Sequence, residues 1–257
     1  MTTFIYTGFY PSMIGYNIRY TSFGDNDNAS IVLIHGFGAS LDYFRKQYTA
    51  FSNAGFKVYG IDLLGFGGSE KVLEAGYSAS LWADQIIDFC EEVVQTKQVL
   101  LAGNSIGSRI ALEVALVEPK LVQGLLLYNA AAGINNKFTI TDKLTPFYLK
   151  IFAIPIFTVL DLLLKNKSFD INLFDRVRNP LNIKSTLESV YVNKAACDDF
   201  LIDCIENAAK DENSLDVFVE ILTNDAGKTP DMFMESLNNI PIHFVWVSFL
   251  YSIYSGT

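Results

Sequence analysis

Ser105 stands in the pentapeptide Gly103-Asn104-Ser105-Ile106-Gly107, a G-x-S-x-G pattern. An apolar run, Val99-Leu100-Leu101-Ala102, precedes it, and helical spacing over 109–117 follows. A serine on a tight strand-to-helix turn projects its hydroxyl above a sheet, where it can attack an acyl carbon; flanking glycines let strand and helix close around the turn. The bland alternative is a glycine-rich turn whose serine merely caps a helix. Two further strand ends carry chemistry: His35-Gly36-Phe37-Gly38, and the run from Asp62 through Gly65, Gly67 and Gly68 to Ser69. Glycines around Phe37 allow its backbone N–H to face a developing oxyanion, and the Ile106 N–H, at the start of a helix, is the second donor. Ser105 is thus the candidate nucleophile and Phe37 and Ile106 the candidate oxyanion hole. His35, Gly36 and Asn104 border the same point as candidate substrate-binding positions, with an orienting hydrogen bond as the role for His35.

A serine is a weak nucleophile until a histidine takes its proton and a carboxylate orients that histidine. The sequence holds two histidines, His35 and His243. His243 falls in mid-strand among apolar neighbours and reads as a satisfied core histidine. The last acidic residue is Glu235, and Asn129, just past the strand at 122–128, cannot act as an anion. Nucleophile and oxyanion hole are therefore expected without a complete triad. Acyl transfer should then fall by several orders of magnitude.

The elements around these residues alternate. Strands are expected at 14–22, 31–34, 56–61, 99–103 and 122–128, with a turn at 24–28. Helices are expected at 41–54, 78–94 and 105–117. A βαβαβ series of this kind predicts an α/β fold with a doubly wound, mostly parallel sheet. From 135 to 238 the spacing is helical, punctuated by Pro146, Pro155, Pro180 and Pro230, and a strand returns at 240–246. The division expected is a core over 1–134, an inserted helical cap over 135–238, and a core strand with an atypical tail over 239–257. The stretch 146–164 is apolar but interrupted by Lys150, Pro155 and Asp161. It reads as a cap helix, or a surface that docks on lipid, rather than a membrane span.

With 257 residues, 50% hydrophobic and 14% aromatic, the chain has ample material for a core. A formal charge of −9 argues against a nucleic-acid partner. Cys90, Cys197 and Cys204 lack metal-ligand spacing and read as core packing in a reducing compartment. The opening residues show no secretory pattern. Oligomeric state is open at this level.

The motifs at 35–38, 62–69 and 103–107 occur in the order and spacing of the α/β-hydrolase superfamily, which the chain resembles from about residue 14 to residue 246. Within it, the sequence is similar to the pheophytinase-type hydrolases of plants, algae and cyanobacteria. Gly36-Phe37-Gly38-Ala39-Ser40, Ile61-Asp62-Leu63-Leu64-Gly65-Phe66-Gly67, the 103–107 elbow and Phe174-Asp175-Arg176-Val177-Arg178-Asn179-Pro180 carry that likeness. The resemblance implies a serine carboxylic-ester hydrolase acting on a large apolar ester, with no metal or organic cofactor. It implies a chloroplast for a photosynthetic eukaryote and the cytoplasm otherwise. Relatives carry a glycine and an acidic turn near Val247, whereas the run from Val247 to Thr257 contains no Asp or Glu. Val247-Ser248 is encodable as GTAAGT or GTGAGT, a splice-donor sequence, so a truncated fold ending in a retained intron is one expectation; a short paralogue or a frameshift is the other. Without a final strand, the strand at 240–246 would be an exposed sheet edge. A non-catalytic binding or scaffold protein using the same pocket is the alternative function.

Overall fold

The computed structural model describes residues 5–12, 15–25, 28–135, 137–141, 145–164, 166–191, 193–228, 237 and 239–245. The first residue of the expected first strand (Ile14), two residues of the turn (26–27), Pro230, Glu235, Trp246 and the tail 247–257 lie outside the described residues.

Seven strands form one sheet: β1 (Ile5–Pro11), β2 (Asn17–Phe23), β3 (Ala29–Ile34), β4 (Phe56–Ile61), β5 (Val99–Asn104), β6 (Val122–Tyr128) and β7 (Ile242–Val245). Their order across the sheet is β1-β2-β4-β3-β5-β6-β7. From β3 to β7 neighbouring strands are parallel, while β1 and β2 join antiparallel at one edge. The mostly parallel α/β sheet expected from sequence is the one observed. The first strand, β1, has no counterpart among the expected elements. It lies at the sheet edge, with Tyr10 buried but Tyr6 at 55% and Phe9 at 60% exposure. A strand that buries so little shows no alternation to detect.

The continuous apolar runs have a direct cause. Both faces of the central strands are covered, and successive side chains point to opposite faces. Along β3, Ile31 and Leu33 join Val58, Ala102, Phe44 and Tyr48 on one side. Val32 and Ile34 join Ile61, Leu101, Trp82, Ile86 and Ile110 on the other. Each such fully buried side chain contributes roughly 1.5–3 kcal/mol. The first face is covered by a 3-10 turn (Leu41–Phe44) and α1 (Arg45–Asn53). The second is covered by α2 (Ala79–Phe89) and α3 (Ile106–Val117). Ser78 caps α2 by accepting from the Leu81 N–H. A single π turn, Cys90–Val94, extends α2 and ends at Gln95 in the left-handed conformation, so the long helix expected there changes pitch in its last turn.

Chain order reverses between β3 and β5. From β3 the chain moves outward to β4, then crosses back over β3 to β5. Ile34 pairs with Gly103, so both strands end at the same level. This topological switch point is where open α/β sheets form ligand crevices. His35-Gly36 leaves one lip and Asn104-Ser105 the other.

Between β6 and β7 lie six helices among the described residues: α4 (Phe138–Thr141), α5 (Phe147–Leu164), α6 (Lys167–Val177), α7 (Pro180–Val190), α8 (Asp199–Ala208) and α9 (Ser214–Thr223). We refer to them as the cap. The apolar stretch expected as a cap helix is α5, which runs continuously through Pro155. Pro155 is exposed, so the carbonyl of Ile151 that loses its donor lies on the outer side of the helix. By length and composition α5 is also the one helix among the described residues able to cross a membrane.

Candidate active site

Ser105 has φ 55° and ψ −118°, a conformation that L-residues other than glycine rarely adopt. It occupies the N-cap position of α3, yet its side chain makes no capping hydrogen bond. That geometry removes the reading of Ser105 as an ordinary cap. The strain, of order 1–3 kcal/mol, is held by the surroundings. The Ser105 N–H donates to the Tyr128 carbonyl at 3.0 Å, and its carbonyl accepts from Ala131 at 3.2 Å. Ser108 Oγ donates to the Gly103 carbonyl at 2.6 Å, closing the turn from below.

The glycines on either side permit this packing. A Cβ on Gly107 would overlap the backbone carbonyls of Ile34 and His35, and one on Gly103 would overlap the Gly107 backbone. The elbow is therefore pressed against the end of β3. Gly36 completes the contact, since a Cβ there would lie 3.2 Å from both Ser105 Cβ and Asn104 Nδ2. The structure thus brings Gly36, Asn104 and Ser105 together. Phe37 follows Gly36 directly, and the Ile106 N–H, in the first turn of α3, has no intrahelical acceptor.

His35 is fully buried. Its Nε2 accepts from the Leu63 N–H at 3.0 Å, so the proton sits on Nδ1, which donates to the Gly36 carbonyl at 2.8 Å. Both ring nitrogens are committed. Burial pushes the imidazole below its ordinary pKa, against the pull of Asp62. His35 therefore neither reaches a substrate nor accepts a proton from Ser105; it orients the loop that carries Phe37. Assigning it to substrate contact is corrected by this geometry.

Asp62 holds the frame together. Oδ1 accepts from the Leu41 N–H at 2.6 Å and Oδ2 from the Gly68 N–H at 2.7 Å. Arg19 Nη1 donates to the same Oδ2 at 3.2 Å. Burial pushes this carboxyl above its ordinary pKa; His35, the Leu41 N–H, Arg19 and the Gly68 N–H oppose that. Gln85 supports the adjacent loop, accepting from the Leu64 N–H at 2.9 Å and donating to the Asp62 carbonyl at 3.1 Å. The sequence reading missed Arg19 and Gln85. Gln85 carried a signal, as a polar residue inside the stripe Trp82-Ile86-Phe89.

The remaining triad positions are not filled among the described residues. His243 is exposed rather than core; among the described residues, β7 is the last strand of the sheet on that side. It pairs with Leu126, which pairs with Ala102, so it lies two residues short of Asn104 along the strands. At 3.3 Å per residue and 4.8 Å per strand, that is about 10 Å or more from the elbow. Asn129, with φ 45°, donates its N–H to the Val245 carbonyl at 3.0 Å. No cluster of His, Cys, Asp and Glu able to hold a metal occurs among the described residues.

An apolar cavity of about 90 Å³, whose lining includes none of 103–107, lies between the loop carrying Phe37 and the cap, lined in part by Phe37, Phe66, Phe174, Ile205, Val217 and Phe218. The Phe37 ring packs edge-on against Phe66, centroids 5.5 Å apart, and lies 5.9 Å from Phe218. A second cavity, about 270 Å³, borders α2 near Leu81 and Asp88 and includes none of the residues around Ser105.

A family model described as alpha/beta hydrolase fold matches residues 29–198. Lipase 3 of Moraxella sp. (strain TA144) is 32% identical over 112 residues, 42% of this chain and 35% of that protein. Chloroplastic pheophytinase of Arabidopsis thaliana is 31% identical over 134 residues, 40% of this chain and 27% of that protein. Each match thus spans well under half of the relative's length. The solved epoxide hydrolase CorEH superposes with a TM-score of 0.72 at 18% identity, covering 95% of this chain and 81% of that one, a likeness of fold alone. With the strained elbow, the switch-point crevice and a family match over most of the chain in agreement, this protein belongs to the alpha/beta hydrolase fold family.

Proposed function

We propose that the protein is a serine carboxylic-ester hydrolase for apolar esters, with Ser105 as nucleophile. The observation that carries this reading is Ser105 itself: a non-glycine residue held at φ 55° with a hydroxyl released from capping, packed against the loop that presents Phe37. Ser105 Oγ would attack the ester carbonyl carbon. The carbonyl π electrons move to oxygen, and the Phe37 and Ile106 N–H groups stabilise that oxyanion. Collapse expels the alcohol and leaves an acyl-serine, which water hydrolyses. The serine proton must leave during attack. His35 has no free lone pair for it, so in this reading water takes the proton, a slower route than transfer to a histidine base. An oxyanion hole and binding alone retain a rate of roughly 10³–10⁴ over water.

The aromatic lining supports an apolar acyl or alcohol group. Its volume of about 90 Å³ is well below the usual 300–1,000 Å³ of ligand pockets. A large ester such as a chlorophyll derivative therefore requires the cap to shift away from Phe37. The pheophytinase match, at 31% over part of each chain, supports that substrate class.

A second reading is a binding protein that holds an apolar ligand without turnover. The committed ring of His35 and the uncharged Asn129 favour it. A fluorophosphonate probe separates the two. Labelling of the wild type that disappears in Ser105→Ala supports the hydrolase; absence of labelling together with saturable binding of an apolar ester supports the second reading.

A further inference from the structure

We infer that α5 is a docking surface for a lipid bilayer of no net charge, lying along the membrane rather than crossing it. Eighteen residues give α5 a length of about 27 Å. Its large apolar side chains stand in solvent: Phe147 is 77% exposed, Ile151 51%, Ile154 49%, Ile156 63%, Val159 55% and Leu162 68%. At 100° per residue these positions span an arc of about 200°, a little over half of the helix circumference. Lys150 and Asp161 fall on the remaining, packed side, so the exposed arc carries no charge. Soluble monomers rarely expose contiguous apolar patches above roughly 300–600 Å², and α5 alone exposes roughly 1,000 Å².

Shape and charge select the occupant. Another copy of the chain, or any rigid protein, covers a stripe about 100° wide and leaves much of a convex helix wet. Fluid lipid closes around the whole arc. The protein is formally −9, so anionic headgroups repel it and a zwitterionic or uncharged surface does not. Spanning is opposed by the packed side. Asp161 pairs with Lys137 at 2.8 Å, and Lys137 also donates to the Thr223 carbonyl at 2.6 Å, fixing α5 to α9. A helix tied to its own cap in this way inserts only to about 5–10 Å, at the level of the headgroups. The inference stands apart from the hydrolase reading, because none of it uses Ser105.

The test is flotation of the full chain with phosphatidylcholine vesicles, and with vesicles enriched in phosphatidylglycerol, at low and high salt. The wild type and Ser105→Ala should float equally with phosphatidylcholine at both salts, and less with the anionic vesicles at low salt. The double variant Ile154→Lys, Leu162→Glu, which keeps the net charge, should float about a hundredfold less. If thermal unfolding shows that this variant is not folded, Ile154→Ala with Leu162→Ala replaces it and should bind at least about tenfold less. Three results overturn the inference: a wild type that stays with the soluble fraction, folded variants that float as it does, or a lipid-free wild-type dimer that the variants dissociate without any change in flotation.

Discussion

The two halves of the sheet's carboxyl edge are built on different plans. At β3, β4 and β5 every backbone turn is locked: Asp62 ties Leu41 to Gly68, His35 joins Leu63 to Gly36, and Gly107 lies against the carbonyls of Ile34 and His35. At β6 and β7 the edge is open, with Asn129 exposed, His243 facing solvent, and Phe244 and Val245 at 53% and 38% exposure. The contrast teaches that the strained conformation of Ser105 is held by backbone packing against the end of β3 and by backbone hydrogen bonds to Tyr128 and Ala131, not by the exposed side chains of the β6–β7 edge.

Gly107→Ala should break the locked half most severely. The obstacles are backbone carbonyls that cannot rotate away, so a loss of about 3–5 kcal/mol is expected, read as a fall in the denaturation midpoint. A loss below about 1 kcal/mol would show that the elbow relaxes and that its packing is not what holds Ser105.

Acid should weaken the same half. His35 is neutral in the fold with its pKa lowered by burial, whereas the unfolded chain takes up a proton below about pH 6.5. Stability therefore declines as pH falls through that value. The raised pKa of Asp62 acts oppositely, adding stability as pH falls toward the ordinary carboxylate range. Urea titrations across pH 5–8 should show a decline that is shallower in His35→Gln; equal slopes would remove His35 as the cause.

Ser105→Gly sharpens the comparison in the other direction. Glycine accepts φ 55° without strain, so stability should rise by about 1 kcal/mol while probe labelling is lost. A folded protein of unchanged or lower stability would mean that the turn stores no strain. Smallest is Phe244→Thr on the open edge. With the ring already 53% exposed, the change should stay within about 0.5 kcal/mol.

The locked half was legible because it is made of local signals. Gly36, Gly65, Gly67, Gly103 and Gly107 mark turns, and the runs before them are strands buried on both faces. Less was legible where the deciding partner is remote. His243 among apolar neighbours looks like a core residue until the sheet order places it at an edge. Arg19 acts on the Asp62 carboxylate and Gln85 on the Leu64 N–H and the Asp62 carbonyl, and no spacing rule connects either residue to that loop. The breadth of exposure around α5 likewise depends on which neighbours cover it, not on its sequence, which is apolar on nearly every side.

The crossing at the switch point also has a bearing on how the molecule folds. Gly107 meets Ile34 and His35 only after β4 and its following helix have been laid down and the chain has returned over β3. The contacts that twist Ser105 are therefore long-range, and closing large loops delays such contacts relative to local ones. The sheet and its flanking helices can gain much of their packing with the serine still in a relaxed turn. Reactive geometry is then a late acquisition of folding, completed when the far lip of the crevice arrives.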